Sequence, residues 1–395
     1  MKQRPATQIQ YYNVPTALER VGDFSQSVDQ NGKMIQLLDP TTRNPIAGNI
    51  IPKSQISTAG LAFLNFMTLP NRCGASGAGS DCWQEADQTQ LYRRNYRSIF
   101  NEQHPRRNDV ARIDFNPTSK MLTWIRYVND YDLQVTNNNN GLGLLGSDKT
   151  FSPYAEDHPN PGHGYGIGIT YTVSPVIVNE FTFGKSYNTW SWYPHDPEQL
   201  NRANVGSPPH WFDEKDSSFT SDQNLPRPNL PPGNQNFAFW APGMSFGGGS
   251  TVGQVTFSPN RPYTNYNDIY AFNDNFSYIR GAHSFKAGFA YERTGKVQQA
   301  GTGTYLGYYT FGSSSSMPMD TNNGYANALV GNFQNYSEGK RVMGDYWFTD
   351  IELYLQDSWK VSRNVTVDVG VRFYHMKPQE NLNKNSAVFL QSAYD

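Results

Sequence analysis

A transmembrane helix needs about 18–20 consecutive, mainly apolar residues, and this chain contains no such run. A helical membrane protein is therefore excluded. Charge is also scarce: only 17% of residues are charged and the net charge is −2. That balance implies no general attraction to nucleic acid or to anionic lipid. The N-terminus MKQRPATQIQYYNVP lacks the apolar core of a signal peptide. Catalytic signatures are missing as well. There is no G-x-S-x-G, no H-E-x-x-H and no P-loop, and GMSFGGGSTVG lacks the Lys-Ser/Thr ending that phosphate chemistry needs. No enzyme activity, metal or cofactor is expected. None of these absences touches a membrane β-barrel, in which only alternate strand residues face lipid.

Aromatic residues are abundant. They make up 14% of the 395 residues, with 25 tyrosines, at a mean hydropathy of −0.66. This is a balance for strands joined by polar loops. The stretch LYLQDSWKVSRNVTVDVGVRF shows the strands most clearly. Ile351, Leu353, Leu355 and Trp359 share one parity, broken by Asp357. After the turn residues Ser362-Arg363-Asn364, Val365, Val367, Val369, Val371 and Phe373 share one parity without exception. Side chains alternate across a strand, so one face is apolar and the other polar. Each strand is about ten residues long, enough to cross a bilayer at a tilt. Three further hairpins follow the same pattern: RNDVARIDF with MLTWIRYVND, YGIGITYTV with VNEFTFGKSY, and NDIYAFNDNFSYI with SFKAGFAYER.

The turns inside these hairpins are short. The connections between them are long, at about 130–164, 188–265 and 295–345, and a further long region, 1–105, precedes the first hairpin. In an antiparallel sheet this alternation sends every long connection to one end. That is the habit of outer-membrane barrels, and a sandwich has less reason for it. The long segments are rich in Gly, Pro and Asn. Within them, 56–67 reads as a helix, 325–333 as a short helix and 304–311 as a short strand. The predicted fold class is all-β: an antiparallel transmembrane β-barrel, represented by about 8–10 strands of a larger barrel.

A lysine or arginine facing lipid at mid-depth costs about 2–4 kcal/mol. Arg112, Arg126, Lys286 and Arg372 are therefore expected to face the lumen, together with Asp114, Glu180, Glu292 and Asp368. Arg126 shares its parity with Trp124 and Val128. Asp357 lies close to a short turn, where the penalty shrinks toward zero.

Cys73 and Cys82 are the only cysteines and flank a Gly/Ser-rich stretch. Such a pair fits a small loop disulfide in an oxidising compartment; two free surface thiols are the other reading. His158 and His163 sit together in the Pro-rich DHPNPGH and read as a solvated loop. Trp190, Trp192, Tyr193 and Trp211 read as loop aromatics beside acids. They are either anchors of the loops on the barrel rim or a platform for a sugar, peptide or aromatic chelate.

Several landmarks carry a family resemblance. NVPTALERVGDFSQ, LLDPTTRNPIAGNIIPKSQIS, SPVIVNEFTFGKSYN, DNFSYIRGAHSFKAGFAYER and LYLQDSWKVSRNVTVDVGVRF occur in order across nearly the whole chain. Together they resemble the β-barrel of Oar-like TonB-dependent transporters, outer-membrane receptors that often carry a carboxypeptidase-regulatory-like domain. The resemblance implies location in the outer membrane and contact with its lipid. It also implies a loop-bound ligand, small-molecule or oligosaccharide, and energy from a TonB complex acting through a plug domain. The family's plug, TonB-contacting segment and last strands have no counterpart here, so the chain is expected to be an internal fragment of a longer importer. Oligosaccharide is the first expected solute class and an iron chelate the second. Two other functions stand beside import: a surface adhesion or structural barrel, and a soluble secreted β-sandwich binding protein.

Overall fold

In this computed structural model the structure describes residues 7–29, 31–84, 94–101, 104–136, 156–194, 201–209, 241–247, 256–257, 263–300, 306–339 and 342–393. Strand β1 (Thr7–Tyr12) pairs antiparallel with β2 (Tyr96–Asn101). Between them lie helices α1 (Ala17–Arg20) and α2 (Thr58–Phe66). Both helices begin on a polar cap. The Thr16 hydroxyl accepts from the Glu19 amide while Glu19 reaches back to the Thr16 amide, and Ser57 caps α2 through the Gly60 amide.

The rest of the chain is dominated by one ten-stranded sheet. Its long strands form four hairpins: β3 (Arg106–Thr118) with β4 (Met121–Thr136), and, after the short β5 (Glu156–Pro159), β6 (Gly162–Ser174) with β7 (Ile177–Pro194). Helix α3 (Arg202–Val205) and the short β8 (Gly243–Ser245) and β9 (Thr256–Phe257) follow. The third hairpin is β10 (Tyr263–Arg280) with β11 (His283–Ala300). After β12 (Tyr308–Thr310), α4 (Gly324–Leu329) and β13 (Asn335–Ser337), β14 (Val342–Lys360) pairs with β15 (Thr366–Met376). The two-residue β16 (Glu380–Asn381) adds to β14. Every ladder in this sheet is antiparallel, and consecutive long strands are spatial neighbours.

Register turns the alternation of single strands into rows that cross the sheet. Ile113, Ile125, Ile167, Phe183, Phe272, Tyr291 and Ile351 are successive cross-strand partners from β3 to β14. The next row of that face holds Phe115, Ile169, Phe181, Phe289, Leu353 and Phe373. These side chains have no core behind them. Ile113 is 70% exposed and Val371 69%. Contiguous apolar surface on this scale marks an interface with an apolar medium or partner.

The strands run further than hydropathy alone predicts. The connections expected at about 130–164, 188–265 and 295–345 are shortened, because β4 continues to Thr136, β7 to Pro194 and β11 to Ala300, while β14 begins at Val342. Past the apolar rows, backbone ladder bonds continue under polar side chains, where the apolar/polar alternation no longer marks a strand.

The remaining segments build a second body at the end of the sheet where the long connections leave it. Region 1–105, read from sequence as loop, holds much of a true core. Val14, Phe24, Leu37, Ile51 and Leu64 pack with Val205, Met244, Phe246, Leu306, Phe311, Tyr325 and Leu329. The later residues come from the connections after β7 and after β11. Backbone bonds stitch them together: Leu38 donates to Thr321 at 3.2 Å and Ser57 to Leu329 at 2.8 Å. Helices α2 and α4 meet at Gly60, where an added Cβ would lie 1.9 Å from the Ala328 carbonyl oxygen. Only glycine permits that approach. Buried Asp320 holds the turn before α4 by accepting from Ser313 Oγ (2.6 Å), the Ser314 and Asn322 amides and Asn327 Nδ2 (2.8 Å). We refer to this body as the cap.

Candidate functional site

The face opposite the Ile113 row is polar, and register collects on it every charged residue assigned to one side from sequence. Arg112, Asp114, Arg126, Glu180, Lys286, Glu292, Asp368 and Arg372 share this face. One row has an ordered composition. From β3 to β14 it reads Arg112, Arg126, Gly166, Gly184, Ala271, Glu292, Asp350. Two cations stand on one side, two carboxylates on the other, and three residues with almost no side chain lie between.

The cationic side is rigidly built. Asp114 pairs with the Arg112 guanidinium at 2.7 Å, and Arg112 lies 5.1 Å from the centre of the Trp124 ring. The indole in turn lies on the sheet, filling the space over Gly168 and Gly166. A Cβ at Gly168 would sit 2.1 Å from Trp124 Nε1. Glycine at this position is what lets the ring lie flat. Beside it opens a cavity of about 500 Å³ lined by Trp124, Arg126, Val128, Gly166, Thr182 and Asn273, among others. Arg126 is exposed to this cavity, and among the described residues no carboxylate pairs with it. Across the sheet Glu352 is matched to Arg372 at 3.5 Å, whereas Asp350 has no ion pair among the described residues.

The aromatic residues expected in loops are placed differently. Trp190, Trp192 and Tyr193 belong to β7, because the ladder with β10 extends to Trp192 and the one with β5 to Pro194. The Trp190 indole donates to His158 Nε2 at 2.7 Å, and buried His158 contacts the Ser191 carbonyl at 2.6 Å. Trp190 thus braces the junction of β5 and β7 and is not an open platform. His158 and His163 likewise sit in strands β5 and β6, not in a solvated loop. Trp211 lies outside the described residues. Cys73 and Cys82 form a disulfide in the cap, with Cα atoms 5.0 Å apart. Next to it Trp83 lies between two guanidinium groups, Arg72 at 5.2 Å and Arg97 at 4.9 Å.

Several polar groups on the apolar face occur as pairs. Asp357, the exception in the last hairpin, contacts His283 at 2.7 Å. Asn179 donates to Asp274 at 2.8 Å. Lys185 and Asp268 lie 3.6 Å apart next to Tyr270. Tyr127, Tyr165, Tyr187 and Trp347 occupy rows toward the cap, while Tyr171, Tyr278 and Trp359 occupy rows near the short turns. Two aromatic bands therefore border the apolar rows, as they do in barrels whose rings sit at both membrane–water boundaries.

Comparison with known proteins agrees with this arrangement. The family model for the outer membrane beta barrel domain matches residues 1–395. The chain belongs to that family. This barrel domain is therefore an outer-membrane element whose apolar face meets lipid, and the soluble β-sandwich reading is set aside. Among solved structures, the chain is similar to the outer membrane transporter YddB from Escherichia coli. That likeness has 10% identity and a TM-score of 0.40, and it covers 72% of this chain and 29% of the transporter. The chain thus spans under a third of that protein's length. None of the curated proteins matches it.

Proposed function

We propose that this barrel domain is part of an outer-membrane importer of a large polar solute, driven by a TonB complex through a plug domain. The polar face is the lumen wall in this reading, and the cap stands at the extracellular mouth. The observation that carries it is the pairing of a mainly apolar face with a polar face that holds a charged, glycine-floored groove. A purely structural barrel needs the first and has no use for the second. Strands β3 and β15 each have a free edge among the described residues. Unpaired backbone groups in hydrocarbon cost several kcal/mol each, so further strands complete the barrel. The solute classes suggested by sequence, oligosaccharide or iron chelate, are both large and polar, and the role is non-catalytic.

The test is uptake. Cells expressing the intact gene should accumulate a labelled solute that deletion cells do not. Removing the inner-membrane energy coupling should stop accumulation while surface binding persists. Unchanged uptake in deletion cells, with lost adhesion to surfaces, would instead support a surface adhesion barrel.

A further inference from the structure

The ordered row on the polar face has the form of an electrical dipole set across the sheet. Arg126 and Glu292 are separated by four interstrand steps, through Gly166, Gly184 and Ala271. At about 4.8 Å per step their backbones lie roughly 19 Å apart. The floor between them has only hydrogen atoms or a methyl group for side chains. The Trp124 indole covers this floor at Gly166, so a ligand lying there meets that ring first and then the open backbone of Gly184 and the methyl of Ala271.

The two ends are not self-neutralised. Arg112 is matched by Asp114, which leaves Arg126 as the uncompensated charge on that side. On the other side Glu292, among the described residues, accepts only the Thr294 hydroxyl, at 3.0 Å, and neighbours Asp350 in register. The nearest cation on the same strand and face, Lys296, is four residues along β11, about 13 Å away. Glu352 is taken by Arg372. Opposite charges held apart over a neutral floor favour a solute carrying both signs, oriented one way.

We propose that this row is a binding subsite for a short zwitterionic peptide lying extended across the sheet. Its terminal carboxylate meets Arg126 beside Trp124, and its terminal ammonium meets Glu292 and Asp350. An extended chain covers about 3.3–3.6 Å per residue. After the reach of the two side chains is subtracted from the span, three to five residues fill the gap, roughly. Thr182, Ser186 and Asn273 line the cavity and supply hydrogen-bonding groups to the peptide backbone. The subsite rests on the reading of this face as a lumen wall, and it points to a solute class different from the oligosaccharide or iron chelate expected from sequence.

The experiment is calorimetric titration of the intact outer-membrane protein, purified in detergent micelles, with tetraalanine, its N-acetylated form, its C-amidated form and cellotetraose. Free tetraalanine should bind most tightly, and capping either end should weaken binding about tenfold. In Arg126→Gln the free and amidated peptides should bind alike while acetylation still weakens binding. In Glu292→Gln/Asp350→Asn the dependence should be reversed. Lys286→Gln, on the same face but outside the row, should bind as the native chain does, which separates a loss of fold from a loss of the subsite. Equal binding of free and capped peptides, tighter binding of cellotetraose, or no binding of tetraalanine would each overturn the proposal. If uptake fails while the end-dependence holds, the import reading falls and the subsite stands; the converse result removes only the subsite.

Discussion

The sheet and the cap bury their apolar residues by opposite means. In the cap, Phe24, Leu64, Phe246 and Tyr325 are fully enclosed by protein, and the segments contributing them are remote in sequence. In the sheet, Ile113, Val369 and Val371 remain more than 60% exposed, because lipid is the medium that covers them. The cap is thus stabilised by removing apolar area from water. The sheet is held by continuous backbone ladders, with side chains sorted by face. A substitution should therefore be judged by different rules in the two bodies.

Truncation in the cap core should have the largest effect. Tyr325 is fully buried and its hydroxyl donates to the Asn13 carbonyl. Tyr325→Ala should destabilise the cap by about 3–5 kcal/mol. Limited proteolysis would reveal it as rapid cleavage within 7–101 while the sheet keeps its β-type circular dichroism. If the sheet melted together with the cap, the two bodies would form one cooperative unit and the contrast would fail.

Neighbouring residues on opposite faces offer a sharper test. Phe272→Lys places a charge toward lipid and should cost about 2–4 kcal/mol, whereas Asn273→Lys, one residue along, should cost close to nothing. Urea titration of vesicle-inserted protein compares the two. Equal costs would mean that the faces are wrongly assigned.

The disulfide is next in size. It closes a short loop, so Cys73→Ser should lower cap stability by about 2–3 kcal/mol and leave the sheet unaffected. Reducing agent should shift the native cap's thermal transition and not that of the variant.

The smallest effect is a pH dependence confined to the cap. Glu19 is buried, and burial raises its carboxyl above the ordinary glutamate range. The hydrogen bonds it accepts from Ser27 and Thr16 oppose that shift without cancelling it. The folded cap then holds a proton that the unfolded chain has released. Stability from this group is full below the unfolded pKa and declines as pH rises through the raised folded value. Glu19→Gln should flatten the cap's stability between the unfolded and the raised folded pKa. A native profile that already rises with pH there would contradict the assignment.

Much of the sheet was legible because a strand's period of two acts locally. All four hairpins were readable from alternation, including the Asp357 exception, and helices near 56–67 and 325–333 showed in their patterns. Trp190 was misplaced because its strand continues under polar residues, where pairing and not hydropathy defines the element. His158 gave no signal of the partner it finds 32 positions away.

What the sequence determined by itself was the alternation within each strand, the turn positions, and so the existence of two chemically distinct faces. Those properties depend on neighbours a few residues apart. The tertiary structure alone decided which residues meet across strands. Arg126, Gly184 and Glu292 form one row only through the register of successive ladders, and a one-residue slip would turn a strand's side chains to the other face. It also decided that residues near 14, 205, 246 and 325 share a core, since segments so far apart leave no periodic trace of their contact.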